Sequence, residues 1–163
     1  MSRMMKVLAA VSLAAALPQA ASAQGLVTEK NLTLATAQTI ANAALAKCES
    51  MGFKVSVTVV DRAGLALVML RGDGAGLHTP EGSDRKAHTA RTFRAPSAAF
   101  VKRMHDNPDA RGSLEYTRVL ALGGGLPIKA GDDVVGAVGV SGSPGKDDEC
   151  SQAGIDKVSD QLN

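Results

Sequence analysis

The chain has 163 residues with a formal net charge of +2, and 45% of its residues are hydrophobic. This length suits a single domain with one core, and the near-neutral charge argues against binding to nucleic acids or anionic membranes, which requires a basic excess. One tyrosine, three phenylalanines and no tryptophan leave no platform on which nucleic-acid bases could stack.

The N-terminal segment has the pattern of a secretory signal. A short cationic stretch precedes residues 7–17, which form an unbroken run of apolar and small residues, and residues 21–23 give a small-x-small cleavage pattern. A membrane anchor is the alternative, but the apolar run is too short to span a hydrocarbon core about 30 Å thick. We therefore expect residues 1–23 to be a signal peptide and residues 24–163 to form one domain, periplasmic or secreted, without stable membrane insertion.

The first half of this domain predicts a helix followed by a β-hairpin. Residues 33–51 carry apolar side chains at helical spacing between a threonine cap and a terminating glycine. Residues 54–60 alternate valines with polar side chains, and a four-residue turn connects them to an apolar run at 65–71.

The second half predicts further helices and a second hairpin. Thr79-Pro80-Glu81 has the composition of a helix start, and Pro96 marks the end of the helix that it opens. The remaining predicted elements are a short helix at 97–105, a surface loop at 106–113, a strand pair at 126–129 and 134–140, and a closing helix at 147–162. This order predicts an α+β domain in which helices cover an antiparallel sheet.

Two cysteines, Cys48 and Cys150, leave two alternatives open. A disulfide between them is chemically allowed outside the cytoplasm and would close a loop of about a hundred residues. Alternatively, each thiol could be buried separately and pack as a small hydrophobic side chain.

Four segments resemble the GlcG/HbpS-like family. The longest is GGGLPIKAGDDVVGAVGVSG at residues 123–142, and the match continues into DDECSQAGI at 147–155. Upstream, VVDRAG at 59–64 and KAHTA at 86–90 fit the same family pattern. The four segments follow the family's order and extend through nearly the whole mature chain.

This resemblance implies a profilin-like fold, in which helices flank a five-stranded antiparallel sheet, and assembly into homo-oligomers from dimers to octamers. The family includes extracellular haem-binding and haem-degrading proteins, small proteins of glycolate operons, and domains attached to corrinoid adenosyltransferases. The resemblance therefore implies the fold more closely than the activity.

The segment from residue 85 to residue 103 contains six cationic residues, one imidazole and no carboxylate. Arg85, His88 and Arg91 are three residues apart and lie on nearly one face of the predicted helix. An imidazole between two guanidinium groups suits haem, because the imidazole can ligate the iron and the guanidiniums can pair with propionates. A solvated helix face, or a contact between subunits, is the alternative interpretation.

We therefore predict a haem site with His88 or His78 at the iron and with Arg85, Arg91 and Lys86 among the cofactor-binding residues. His78 is included because it lies in a glycine-rich loop, where the backbone can approach a flat ligand closely.

The predicted function is that of an exported haem-binding protein, with weak peroxide-dependent haem degradation left open. Two alternatives also stay open. One is a non-catalytic periplasmic module that binds another small ligand, such as a corrinoid or an organic acid. The other is an oligomeric structural or sensor accessory protein in which the cationic helix forms a subunit contact.

Overall fold

The computed structural model describes residues 25–162, so the predicted signal peptide lies outside the described residues. The helices are α1 (Leu34–Ser50), α2 (Thr79–Phe93), α3 (Ser97–Asp106) and α4 (Asp147–Asp156), and the strands are β1 (Ser56–Val60), β2 (Ala66–Arg71), β3 (Gly125–Ala130) and β4 (Asp133–Ser141). The predicted α+β class is confirmed. Crossing a bilayer would need a longer and more apolar helix than any within this described range.

The sheet has the strand order β2-β1-β4-β3, and each neighbouring pair is antiparallel. The prediction of five strands is wrong for residues 25–162, which contain four. The apolar segment 119–122 stays outside the sheet because side chains of α2 occupy its backbone groups. Arg85 donates to the carbonyl oxygen of Val119 at 2.8 Å, and the Leu120 amide donates to the Thr89 hydroxyl at 2.9 Å.

Helices α1 and α4 cover one face of the sheet and form the main hydrophobic core with it. The alternating valines of the first hairpin lie in this core together with the fully buried Ile40 of α1. Burial of each such side chain contributes about 1.5–3 kcal/mol. These contacts explain why the period-2 pattern of residues 54–60 produces a strand.

Helix α2 covers the opposite face of the sheet, through small and polar residues. Ser56 and Thr58 of β1 are buried and bond to Thr79 and Ser83 of α2 at 2.8 and 2.7 Å. The helix lies so close to β4 that a Cβ atom added at Gly139 would be 2.2 Å from the carbonyl oxygen of Ser83. Glycine at this position therefore allows the helix to rest directly on the strand.

Two predicted segments differ from the observed elements by more than a shift of one or two residues at an end. The predicted surface loop contains a 3₁₀ helix at Pro108–Glu115, which begins because Asn107 accepts from the Asp109 amide and proline follows it. The closing helix ends at Asp156, not at residue 162, because the chain turns there to bury Val158 in the core.

The structure joins Cys48 of α1 to Cys150 of α4 by a disulfide, which decides between the two alternatives for these cysteines. Their Cα atoms are 5.5 Å apart, within the usual range for a disulfide. Both residues are fully buried. The bond therefore fastens the two helices that form the main core.

Candidate functional site

A cleft opens where the start of α2, the segment before β3, the end of β4 and the start of α4 meet, and we call it the α2–α4 cleft. Its main lobe of about 470 Å³ is lined by His78, Lys86, Leu122, Gly123, Ser141, Gly142, Pro144, Gly145, Asp147 and Asp148. A side lobe of about 190 Å³ is lined by His78, Glu81, Gly82, Arg85, Leu120, Leu122 and Ser141. The two lobes share three residues, and together they fall within the usual size of a small-molecule site, about 300–1,000 Å³.

The floor of the main lobe is a buried ion pair between Lys86 and Asp147. The ammonium nitrogen of Lys86 lies 2.7 Å from one carboxylate oxygen of Asp147, and it also donates to the carbonyl oxygen of Val140 at 3.2 Å. The other carboxylate oxygen of Asp147 accepts from the amide and the hydroxyl of Ser143 at 2.9 and 2.6 Å. The charge of Lys86 is therefore neutralised within the protein, and this residue is not available as a free cation for a ligand.

His78 and Leu122 give the mouth of the cleft an accessible imidazole beside an apolar side chain. Both residues line the two lobes, Leu122 is 53% exposed, and His78 is also exposed. A Cβ atom at Gly76 would be 3.0 Å from the imidazole of His78, so glycine there leaves room for the ring. An accessible imidazole beside apolar side chains suits a flat ligand that carries a metal ion.

Arg85 lines the side lobe, and its guanidinium pairs with only one carboxylate among residues 25–162. One terminal nitrogen of its guanidinium pairs with Glu81 at 3.1 Å, and the other donates to the carbonyl oxygen of Val119. Its Nε is buried and has no hydrogen-bond partner in the described chain. Because the pair with the exposed Glu81 is worth at most about 1 kcal/mol, a ligand carboxylate can compete for this guanidinium.

His88 lies away from both lobes, next to the turn between β1 and β2. Its Nδ1 is 3.4 Å from the carbonyl oxygen of Gly64. Arg118 also donates to that carbonyl, at 3.0 Å, and binds both carboxylate oxygens of Asp84 at 3.0 and 2.7 Å. Burial, followed by the nearby charge of Arg118, lowers the pKa of His88 and favours its neutral form.

Arg91 also lies outside both lobes. Its Nε is buried without a hydrogen-bond partner among residues 25–162. Burial, and then the guanidiniums of Arg94 and Arg62, lower the pKa of Arg91. Among the predicted site residues, the structure thus brings His78, Arg85 and Lys86 to one cleft and separates them from His88 and Arg91.

Sequence reasoning missed three features of these surroundings. Ser141 and Leu122 line both lobes, and Asp147 holds the buried lysine. In the sequence, the adjacent acids Asp147, Asp148 and Glu149 are typical of a helix start, with a hard-cation site as the less favoured interpretation. In the structure they diverge to Lys86, to the amide of Gly124 and to surface lysines. The local signal that could have indicated the rim was Leu122, an apolar residue directly before the triple glycine.

We expect the shifted pKa of His88 to make stability depend on pH. Since the unfolded chain binds this proton more tightly than the folded chain, the contribution of His88 is complete above about pH 6.5 and is lost as the pH falls through the lowered folded-state pKa. Urea unfolding of the wild type and His88→Gln between about pH 7.5 and about pH 5 should show a steeper loss of stability in the wild type. His105→Gln, which removes an exposed imidazole, is the control, and parallel curves for the wild type and His88→Gln would contradict this role of burial.

Comparison with known proteins identifies the family. A family model described as haem degrading protein HbpS-like matches residues 32–156. The chain belongs to the HbpS-like family. This confirms the resemblance inferred from the four sequence segments.

Relatives of this HbpS-like chain match most of its length, and the solved structures among them share its fold. The crystal structure of a double mutant of HbpS from Streptomyces reticuli is 40% identical, covers 87% of this chain and 97% of that chain, and gives a TM-score of 0.77. An uncharacterized 15.0 kDa protein in the dhaT-dhaS intergenic region of Citrobacter freundii is 36% identical over 114 residues, or 68% of this chain and 80% of that protein. PduOC in its heme complex shares the fold at 23% identity, with coverage of 77% and 94% and a TM-score of 0.70.

Proposed function

We propose that this HbpS-like chain is an exported haem-binding protein that holds haem in the α2–α4 cleft. The observation that carries the proposal is that an accessible imidazole, from His78, shares the side lobe of one cleft with Arg85, whose guanidinium pairs with only one carboxylate of the described chain, that of the exposed Glu81. His78 would ligate the iron, and Arg85 would pair with a propionate. Leu122 and the glycines of the cleft wall would contact the apolar ring.

The comparisons support haem as the ligand. The matching family model describes haem-degrading proteins, and PduOC, which shares the fold, was crystallised with heme. When bound, haem would supply the redox chemistry, including any peroxide-dependent breakdown of its own ring. The chain itself would hold and orient the ligand and cover part of it from water.

Export is part of the same proposal and has two supports. Residues 1–23 have the pattern of a signal peptide. The disulfide between Cys48 and Cys150 is a type of bond that persists in oxidising compartments such as the periplasm or the extracellular medium.

Assembly into a homo-oligomer is also proposed. Strand β2 is an edge of the sheet, and Leu65 and Met69 at this edge are 61% and 47% exposed. Exposed apolar side chains on an unpaired edge strand favour association with another chain. Light scattering of the mature chain measures the mass of the assembly, and a monomer at micromolar concentration would remove this part of the proposal.

The haem proposal predicts that the mature chain binds haemin stoichiometrically with a shift of the Soret band. His78→Ala should weaken this binding by about tenfold or more, since it removes the iron ligand. His105→Ala, which removes an exposed imidazole remote from the cleft, is the matched control and should bind as the wild type does. Absence of a Soret shift, or equal affinities of His78→Ala and the wild type, would refute the assignment.

A second candidate function, binding of a non-haem organic acid, is favoured by one observation. Within the described residues, the guanidinium of Arg85 lines the side lobe and pairs only with the exposed Glu81 and the carbonyl oxygen of Val119, so a ligand carboxylate can bind it without a metal ion. Under this alternative, Arg85→Ala abolishes ligand binding in the cleft, whereas His78→Ala leaves it intact.

A further inference from the structure

The disulfide lies directly behind the floor of the α2–α4 cleft. The Sγ atom of Cys48 is 3.1 Å from the hydroxyl oxygen of Ser143. That hydroxyl donates to Asp147 at 2.6 Å, and the opposite oxygen of the same carboxylate accepts from Lys86 at 2.7 Å. A continuous series of buried polar contacts therefore links the disulfide to the two residues that form the cleft floor.

We propose that the redox state of the Cys48–Cys150 pair sets the affinity of the α2–α4 cleft for its ligand. The oxidised form holds the floor in the arrangement described above, and the reduced form releases it. The inference rests on the proposed function for the identity of the ligand, haem. The contacts that link the disulfide to the floor are independent of that identity.

The redox step is a thiol–disulfide exchange with a dithiol reductant. One thiolate of the dithiol attacks a sulfur of the pair and releases the other cysteine as a thiolate. The second thiolate of the dithiol then attacks the dithiol sulfur of the mixed disulfide and releases the remaining cysteine thiolate. The Cys48–Cys150 bond breaks, and its two sulfur atoms together gain two electrons and two protons, which yields two thiols. The dithiol loses the same electrons and protons and closes into its own disulfide.

Reduction changes both the packing and the hydrogen bonding next to Ser143. The two sulfurs must move apart from bonding distance to van der Waals contact. Cys48 also gains an S–H group, a weak donor that was absent in the disulfide and that faces the Ser143 oxygen. The contact between Cys48 and the hydroxyl that orients Asp147 therefore changes on reduction.

Close packing elsewhere directs this movement to the start of α4. A Cβ atom at Gly154 would be 2.7 Å from the backbone oxygen of Ile40, so α1 and α4 already touch through their backbones at that level. The helices have no free space there to absorb a displacement. The first turn of α4, which contains Asp147 and precedes Cys150, is the part that can shift.

The test compares the oxidised mature chain with chain that has been reduced by a dithiol and freed of it by anaerobic gel filtration. Reduction should weaken haemin binding by about tenfold, a typical size for coupled sites. Hydrogen exchange of the ligand-free protein should accelerate in residues 141–150, because the Ser143 amide bonds to Asp147. Residues 56–71, in the first hairpin, should accelerate only as much as the loss of global stability requires, and less than residues 141–150.

Two variants separate this coupling from other effects of reduction. Ser143→Ala keeps the disulfide but removes the hydroxyl link, so the ratio of affinities between its two redox states should fall to about twofold or less. Cys48→Ala/Cys150→Ala has no thiols, so its haemin affinity should be the same with and without prior dithiol treatment. A response of this double variant to the dithiol would assign the effect to the reagent and overturn the proposal.

Equal haemin affinities of the oxidised and reduced wild type would also overturn the inference. The same conclusion follows if reduction accelerates hydrogen exchange in residues 56–71 as much as in residues 141–150, because that result indicates global loosening. If neither redox state binds haemin, the proposed function fails on its own. The exchange measurement then decides the coupling: greater acceleration in residues 141–150 than in residues 56–71 supports it, and equal acceleration or unchanged rates refute it.

Discussion

Replacing Asp147 by alanine is expected to lower the free energy of unfolding by about 3–5 kcal/mol. The side chains of Asp147 and Lys86 are only 12% and 6% exposed, and their charges lie 2.7 Å apart. Without the carboxylate, a buried ammonium loses its counter-charge, and the amide and hydroxyl of Ser143 lose their acceptor. Urea unfolding followed by circular dichroism measures the change.

Two further variants identify the cause of this loss. Adding Lys86→Met to Asp147→Ala removes the unpaired charge and should restore part of the stability, because an apolar side chain tolerates burial without a partner. Glu149→Ala, on the same helix, removes a carboxylate that pairs only with surface lysines and should change stability little. Equal stabilities of Asp147→Ala and Glu149→Ala would contradict the role of the buried pair.

Reduction of the disulfide is expected to lower the free energy of unfolding by about 4–5 kcal/mol. The bond joins residues separated by 102 positions, and a closed loop of that length strongly restricts the unfolded chain. Parallel urea unfolding of oxidised and reduced chain measures the difference. Cys48→Ala/Cys150→Ala should lose at least as much, because it also removes two fully buried side chains. A loss below about 1 kcal/mol in the reduced chain would contradict this account of the bond.

The predictions from sequence succeeded where a local pattern determines the structure. The alternation in residues 54–60 predicted a strand whose valines face the core, because side chains alternate between the two faces of a sheet. It did not show that Ser56 and Thr58 are also buried. Their partners on α2 are Thr79 and Ser83, polar residues whose hydrophobicity pattern gives no indication of burial.

The predictions were incomplete where the structure depends on partners distant in the chain. The segment from residue 85 to 103 has no carboxylate, yet Lys86 pairs with an acid 61 positions away. Arg118 likewise reaches Asp84 and the turn at Gly64, so it affects His88 from outside that segment. Spacing along one helix cannot reveal which cations are already neutralised by distant elements. Only the arrangement of the elements separates the cleft residues from the rest.

The site that emerges differs from a single cationic helix face. His78 and Arg85 lie at one cleft with an apolar rim, whereas His88 is held beside a backbone carbonyl and an arginine. The accessible histidine of the loop is therefore a better candidate for an iron ligand than the half-buried histidine of the helix.

A crystal structure of the mature chain loaded with haemin tests the central claim most directly. We expect the porphyrin in the α2–α4 cleft, with its iron bonded to His78 and one propionate paired with Arg85. Iron bonded to His88, or haem bound on a surface remote from Ser141 and Leu122, would contradict the assignment of this cleft as the haem site.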